Sequence, residues 1–571
     1  MKFFFLLLLI FISAESNAQN WLWGKNGYGE GPDEGFDIAS DANGNTVVTG
    51  AFYSSTIIFG TDTLYNSGLD DIYIVKYDAN GNVLWARAGV GSVEDYSQSI
   101  EIDNSGNIYL CGFFNSPYLS FGSDTLFQNN SEDFFIVKYN SLGSIVWTKS
   151  FGGDHAMGIT TDDENNVIVT GDFGSDSLII DQFILYNSNY YGSPHPNVFL
   201  IKFDSLGNAI WVQSAGGYLG SSGMDVKTDH FNNIYLAGGY SCAYIIFGTD
   251  TIFCTWASDI FLAKYDKNGN LIWVKTPPGS STDNPEDLTI DNFGNCILTG
   301  SFKGNLSFDN YQLINSSTND DLFIAKYDTS GNVLWAKSGM CLSGDVGFGL
   351  ATDNYNNIYL AGGFSPSSFD SLILSPHDSF IIDSLVIPFP DSSALDPMFI
   401  IKFNPDGGVL CSSTLISGGD DFIRVATDDF GNAYVHGDFI PSPFPVGSDT
   451  LFTGGIGLTE NIFTAKFSCE NNPEIANEIN VNESLNIYPN PTSSNISFTF
   501  TSSSPCKMKI EITDAIGNIV LQKTTEIKSG FNQQNILLPD LSSGIYYFKL
   551  QQTSININQF IPEVRKIVVM H

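Results

Sequence analysis

The sequence is short of several things, and each shortage excludes something. Charged residues make up 15% of the chain, against ~25% in ordinary soluble domains. The shortage is of bases: 24 Lys and Arg stand against 62 Asp and Glu, a net charge of −38. A nucleic-acid partner needs basic patches that neutralise phosphates, and none is present. An anionic membrane surface would repel such a chain. After residue 12 no apolar run is long enough to span a bilayer as a helix. No segment keeps a 3.6-residue apolar period, which excludes a helical solenoid. Cysteines number 8 and histidines 6. No Cys-x-x-Cys pair occurs, which argues against structural zinc. No two histidines have metal-ligand spacing, and neither GxSxG nor HExxH appears. His155, beside Asp154, is the only histidine near an expected cavity. No catalytic residue, metal ligand or cofactor is therefore assigned.

What is abundant is glycine, at 55, and phenylalanine, at 45. That pairing suits short aromatic strands joined by tight turns. Residues 1–18 read as a signal peptide for Sec-dependent export to the periplasm. Lys2 starts it, Phe3 to Ile12 is the apolar run, and Ser16 and Ala18 precede a cut before Gln19. Export permits disulfides. Cys242 and Cys254 flank a short loop and are the expected pair. Cys111 and Cys296 sit inside apolar strands and are expected as buried thiols.

A repeat runs through the chain. An Asp, a turn ending in Asn, and a strand ending in Gly begin at Asp41, Asp103, Asp162, Asp229, Asp291, Asp353 and Asp428. The spacings are 62, 59, 67, 62, 62 and 75 residues. Each copy is followed by a segment such as "FIAKY", whose lysines are Lys76, Lys138, Lys202, Lys264, Lys326, Lys402 and Lys466. After the first five comes a turn and a tryptophan: Trp85, Trp147, Trp211, Trp273 and Trp335. Cys411 takes the tryptophan place in the sixth. Each repeat thus supplies four strands, in the fifth near Leu288–Asp291, Cys296–Phe302, Leu322–Tyr327 and Val333–Lys337.

Four antiparallel strands repeated seven times predict an all-β, seven-bladed β-propeller over residues 19–468. The seventh repeat lacks its tryptophan strand. Residues 21–25, "WLWGK", match that strand and are expected to close the ring from the N-terminus, removing open edges. The "GNIYLCG" and "FIAKYDTSGNVLWAK" segments resemble SBBP repeats, and in strand order the NHL-type unit. Inserts near Ser188–Pro196 and Ser375–Ala394 are expected as protruding loops.

Residues 469–484 are polar and read as a linker. From 485 to 571 the chain changes character. Tyr488-Pro489-Asn490-Pro491, the Gly517-Asn518 turn, Ser543-Gly544-Ile545-Tyr546 and the ending "KIVVMH" resemble the C-terminal sorting domain of type IX secretion substrates in Bacteroidota. The resemblance implies a small Ig-like β-sandwich, the type IX machinery as partner of 485–571, and a secreted or outer-surface location. In that family the domain is removed after export and the cargo is released or tethered.

Counting back eight residues from each turn Asp gives Asp33, Asp95, Asp154, Ser221, Asp283, Asp345 and Asp420. These open the innermost strands, so six carboxylates ring one mouth of the channel. One reading is a cation or polyol site. The other is that each Asp organises its own loop through backbone N–H groups. The seven lysines suggest a repeated ion pair or hydrogen bond. The Asp-x-Asn-Gly-Asn stretches at Asp41, Asp78 and Asp266 resemble the start of calcium loops, yet no Glu follows at the required spacing, and the same residues make hairpin turns. The leading function is a non-enzymatic binding or scaffold module for an extracellular glycan or protein. One alternative is a hydrolase of polysaccharide or peptide at the acidic mouth, where paired carboxylates would act. Another is a structural adhesin. Uniformity favours binding, because an active site should break the repeat.

Overall fold

In the computed structural model the described residues are 20–469, with short interruptions and longer ones within 365–396, and segments of 486–569. The signal peptide, the linker, Asp154, Asp420, Cys242, Cys254 and most of both inserts lie outside them.

The chain divides into two compact units, Met1–Glu470 and Asn471–His571. Among the described residues, eight sheets have four or more strands. Seven lie in the first unit, one for each repeat, and the eighth lies in the second unit. In the fifth repeat the four strands are Asp283–Ile290, Cys296–Phe302, Asp321–Tyr327 and Val333–Ser338. The first strand is longer than its apolar pattern suggested. A register shift between Pro285 and Asp287 breaks the alternation there. The second and third strands are buried along their full length in most repeats, as strands covered on both faces should be. First strands of neighbouring repeats contact one another around the ring, including the first and the seventh. They are therefore innermost.

The seventh sheet is completed by Asn20–Asn26, which pairs antiparallel with Asn461–Ser468. Trp23 lies opposite Lys466, in the register that sets Trp85 opposite Lys76.

Four strands per repeat undercounts the structure. Most repeats add a short hairpin between their second and third strands, such as Tyr118–Phe121 with Asp124–Phe127. Such hairpins cover the outer edge of the preceding sheet: Phe121 pairs with Gly89, and Phe247 with Ala215. An open outermost strand is an aggregation hazard, and the neighbour's hairpin caps it. Four-residue strands give too short an alternation to stand out in sequence. In the second insert, expected as loop, Leu385–Ile387 forms a strand against Leu372–Leu374.

Cys111 and Cys296 are buried thiols, as expected. The expected Cys242–Cys254 pair lies outside the described residues, and a disulfide that the sequence did not suggest joins Cys411 to Cys469, separated by 58 residues. In other repeats the tryptophan at this place reaches the turn between third and fourth strands of the next repeat. The seventh repeat has no such turn, because its fourth strand comes from the N-terminus. The disulfide ties the sixth sheet to the seventh where that turn is missing. Replacing both cysteines by serine is expected to lower stability by about 2–4 kcal/mol, read as a shift in urea midpoint under oxidising conditions.

In the second unit, a three-stranded sheet holds Asn486–Tyr488, Asn495–Ser502 and Gly530–Leu537. A four-stranded sheet holds Cys506–Asp514, Ile519–Ile527, Gly544–Gln552 and Glu563–Val569. Ile496, Phe498, Ile510 and Ile512 are buried at alternate positions, as strands with one covered face require.

Candidate functional site

The sequence-derived features occupy three levels along the ring axis. The first is the Asp ring where the inner strands begin. Asp33 Oδ1 accepts from the Ser54 N–H at 3.1 Å and its Oδ2 from Ser54 Oγ at 2.8 Å. Asp95 does the same with Ser116 at 3.1 and 2.7 Å, and also takes the Asn115 N–H at 3.2 Å. Asp345 accepts the Leu322 N–H from the preceding repeat at 3.2 Å. Ser221 holds the place in the fourth repeat. These side chains are buried and do not line the central cavity. Asp283 lines a separate cleft with Ser221 and Tyr240.

Burial sets their chemistry. It lifts Asp33 to about 7, against the lowering bonds from Ser54. It lifts Asp95 to about 7, again opposed by Ser116. It lifts Asp283 to about 8, helped by the charge of Asp259. Asp345 is raised by burial and then by Asp321. A folded-state value above the unfolded one adds stability that is complete below the unfolded pKa and is lost as pH rises through the folded value. His436, buried and lowered to about 4, stays neutral above pH 6.5. From pH 6.5 to 9 the three aspartates with assigned values are therefore expected to cost roughly 3–4 kcal/mol. Urea midpoints across that range measure it. The variant Asp95→Asn/Asp283→Asn should flatten most of the slope, and an equally steep slope in that variant would contradict the assignment.

The second level is the cavity on the axis, of about 210 Å³, lined from all seven inner strands. Asp37, Asp225 and Asp287 face it, four residues after the ring positions of the first, fourth and fifth repeats. Sequence reasoning missed them, although a column of Asp, Ser, Gly, Asp, Asp, Gly and Arg at that offset was legible. Each reaches the inner strand of the next repeat. Asp37 Oδ2 accepts Ile100 N at 2.8 Å and Ser99 Oγ at 2.9 Å. Asp225 Oδ2 takes Leu288 N at 3.1 Å, and Asp287 Oδ2 takes Leu350 N at 2.6 Å. Arg424 donates back to the Phe348 carbonyl. Lys227 lies 3.5 Å from Asp225 Oδ1. Burial opposes its charge, but Asp225, Glu101, Asp287 and Asp37 outweigh that and raise its pKa.

The third level holds the turns at the far end of the inner strands. The turn Asp folds its own loop: Asp41 Oδ1 takes the Asn43 and Asn45 N–H groups, and Oδ2 takes Asn45 Nδ2. Asp78 and Asp266 are saturated in the same way. Among the described residues, no group of three or more His, Cys, Asp or Glu is arranged to hold a metal.

The repeated lysines join neighbouring repeats. Lys202, Lys326 and Lys402 pair with the turn Asp of their own repeat at 2.7, 2.9 and 3.1 Å. Lys138 and Lys326 also donate to the Ser205 and Pro405 carbonyls of the next repeat, at 3.0 and 3.1 Å. Trp147 and Trp335 donate to those same carbonyls. At the ring closure Trp23 Nε1 donates to the Ala79 carbonyl of the first repeat at 3.2 Å.

A family model described as a secretion system C-terminal sorting domain matches residues 486–563. A WD repeat-containing protein of Acanthamoeba polyphaga mimivirus, itself uncharacterised, is 24% identical over 502 residues, 72% of this chain and 35% of that protein. The chain thus spans about a third of that relative's length. Among solved structures, an ulvan lyase of a polysaccharide lyase family is similar at 9% identity and TM-score 0.34, over 77% of this chain and 97% of that one. A fungal alcohol oxidase is similar at 10% and 0.32, over 97% and 100%. At such TM-scores these likenesses carry no argument. The sheets and the matched tail together identify a β-propeller protein with a C-terminal sorting domain, exported by type IX secretion to a secreted or cell-surface location.

Proposed function

We propose that the chain is a seven-bladed β-propeller of SBBP type that serves as an extracellular binding or scaffold module. In this reading residues 1–18 direct Sec export, 19–468 form the propeller, 469–484 link it, and 485–571 address it to the type IX machinery. One four-stranded sheet per repeat supports the blade number. The observation that carries binding over catalysis is the engagement of Asp33 and Asp95 by their own loops. A carboxylate whose two oxygens are both held by donors of its own repeat is a loop organiser; a nucleophile or base needs an oxygen within reach of the substrate. The same observation favours loop organisation over a cation site at Asp33 and Asp95.

Two measurements test this. Incubation with mixed polysaccharides and with casein should release no new reducing ends or free amines. Release that disappears in Asp33→Asn would establish the hydrolase instead. Thermal melts in calcium and in chelator should coincide, for the wild type and for Asp95→Asn/Asp283→Asn. A calcium-dependent rise in the wild type alone would establish a cation site.

A further inference from the structure

The turns at the third level break the repeat in one respect. The residue two places after the turn Asp is Asn43, Ser105 and Glu164 in the first three repeats. In the next four it is Phe231, Phe293, Tyr355 and Phe430. These four rings are 76%, 70%, 60% and 67% exposed. They belong to consecutive repeats, so they form one arc around the channel mouth opposite the Asp ring. Nothing in the fold requires them, since Asn, Ser and Glu make the same turn elsewhere.

The arc is rigid. The backbone N–H of each aromatic donates to the turn Asp carboxylate, at 2.9 Å for Phe231, Phe293 and Tyr355 and 3.0 Å for Phe430. Adjacent turns are bonded to each other. Asn292 N donates to Asn356 Oδ1 at 2.8 Å, and Asn292 Nδ2 to the Asn354 carbonyl at 3.2 Å. The Tyr355 ring lies beside Gly431 of the seventh repeat's turn. Fixing the backbone that carries the rings before a ligand arrives removes part of the ordering cost of binding.

We infer that this arc is the ligand-binding surface, and that its ligand is an uncharged polysaccharide stacked on Phe231, Phe293, Tyr355 and Phe430. This rests on the reading of the propeller as a binding module and names its face and ligand class. Three observations select the class. The rings stand singly, each flanked in the chain by Asp, Asn, His or Gly, and do not merge into the apolar core typical of a protein interface. They recur once per repeat over four repeats, which suits a ligand that also repeats a flat apolar face. The net charge of −38, with Asp163 and Asp429 beside the arc, repels an anionic polymer. Exposed rings also stand on the outer hairpins, at Tyr65, Phe127, Tyr186, Phe253 and Phe452. Those follow the repeat around the perimeter and define no single footprint.

The test is affinity electrophoresis of the whole chain in gels containing xylan, laminarin, hydroxyethylcellulose or, as the anionic control, alginate. At least one neutral polymer should retard the wild type, and alginate should not. Each single change to Ala should weaken retardation roughly 3- to 10-fold, and the fourfold Ala variant should abolish it. Tyr355→Phe should keep it. Melting temperatures should stay unchanged, because these side chains are exposed. Retardation that survives in the fourfold variant would overturn the arc while leaving a binding module elsewhere on the chain. No retardation by any neutral polymer, or retardation by alginate alone, would overturn the ligand class.

Discussion

A chain ending at Glu470 is expected to fold normally and to remain inside the outer membrane of its host. The first unit is compact without the second, and each repeat's sheet is completed within it. The sorting-domain match, residues 486–563, lies wholly outside the deletion boundary. Removing it takes away the export address and leaves every strand of the first unit's sheets in the chain. Fractionation of the host should find essentially all of the truncated chain in the periplasm, with the full chain outside. Residues 471–571 fused to an inert reporter should carry the reporter out. Normal surface delivery of the truncated chain would overturn the assignment.

Deleting residues 20–26 should have the largest effect on folding. Their strand is the last partner of Asn461–Ser468. Trp21 and Trp23 are buried. Trp21 packs 5.2 Å from Phe467 and donates to Ser413 Oγ in the sixth sheet, and Trp23 reaches Ala79 in the first. Losing one buried tryptophan costs about 3–5 kcal/mol. Two of them, with a strand's backbone bonds, approach the whole stability of a typical domain, ~5–15 kcal/mol. The deletion should be recovered unfolded or aggregated, since it also bares a long edge. Trp23→Ala alone should remain soluble and lose about 3–5 kcal/mol. An unchanged melting temperature in the deletion would contradict the closure.

Much of this architecture is local and therefore readable. The Asp-to-Asn turns recur because one carboxylate satisfies the N–H groups of its own loop, so the motif is complete within five residues. Strand alternation is equally local. The place of Trp21–Lys25 could be read because the seventh repeat lacks one strand and the N-terminus holds a spare one. The sorting domain is legible for the same reason, as short contiguous signatures.

Other features arise only where residues about 60 positions apart meet. Lys138 and Trp147 find one carbonyl at Ser205 because the next blade's turn lies against them. Asp37, Asp225 and Asp287 each serve the following inner strand, which no spacing within one repeat reveals. Cys411 pairs with Cys469 because ring closure leaves a turn missing at one junction. Phe231, Phe293, Tyr355 and Phe430 are scattered single letters in the sequence, and only the circular order of the repeats gathers them on one rim. The sequence by itself determined the repeat, its turns and its strands, since these depend on steric and hydrogen-bonding preferences within a few residues. The tertiary structure decided which side chains face each other between blades and which remain displayed, since that depends on lateral packing around a closed ring.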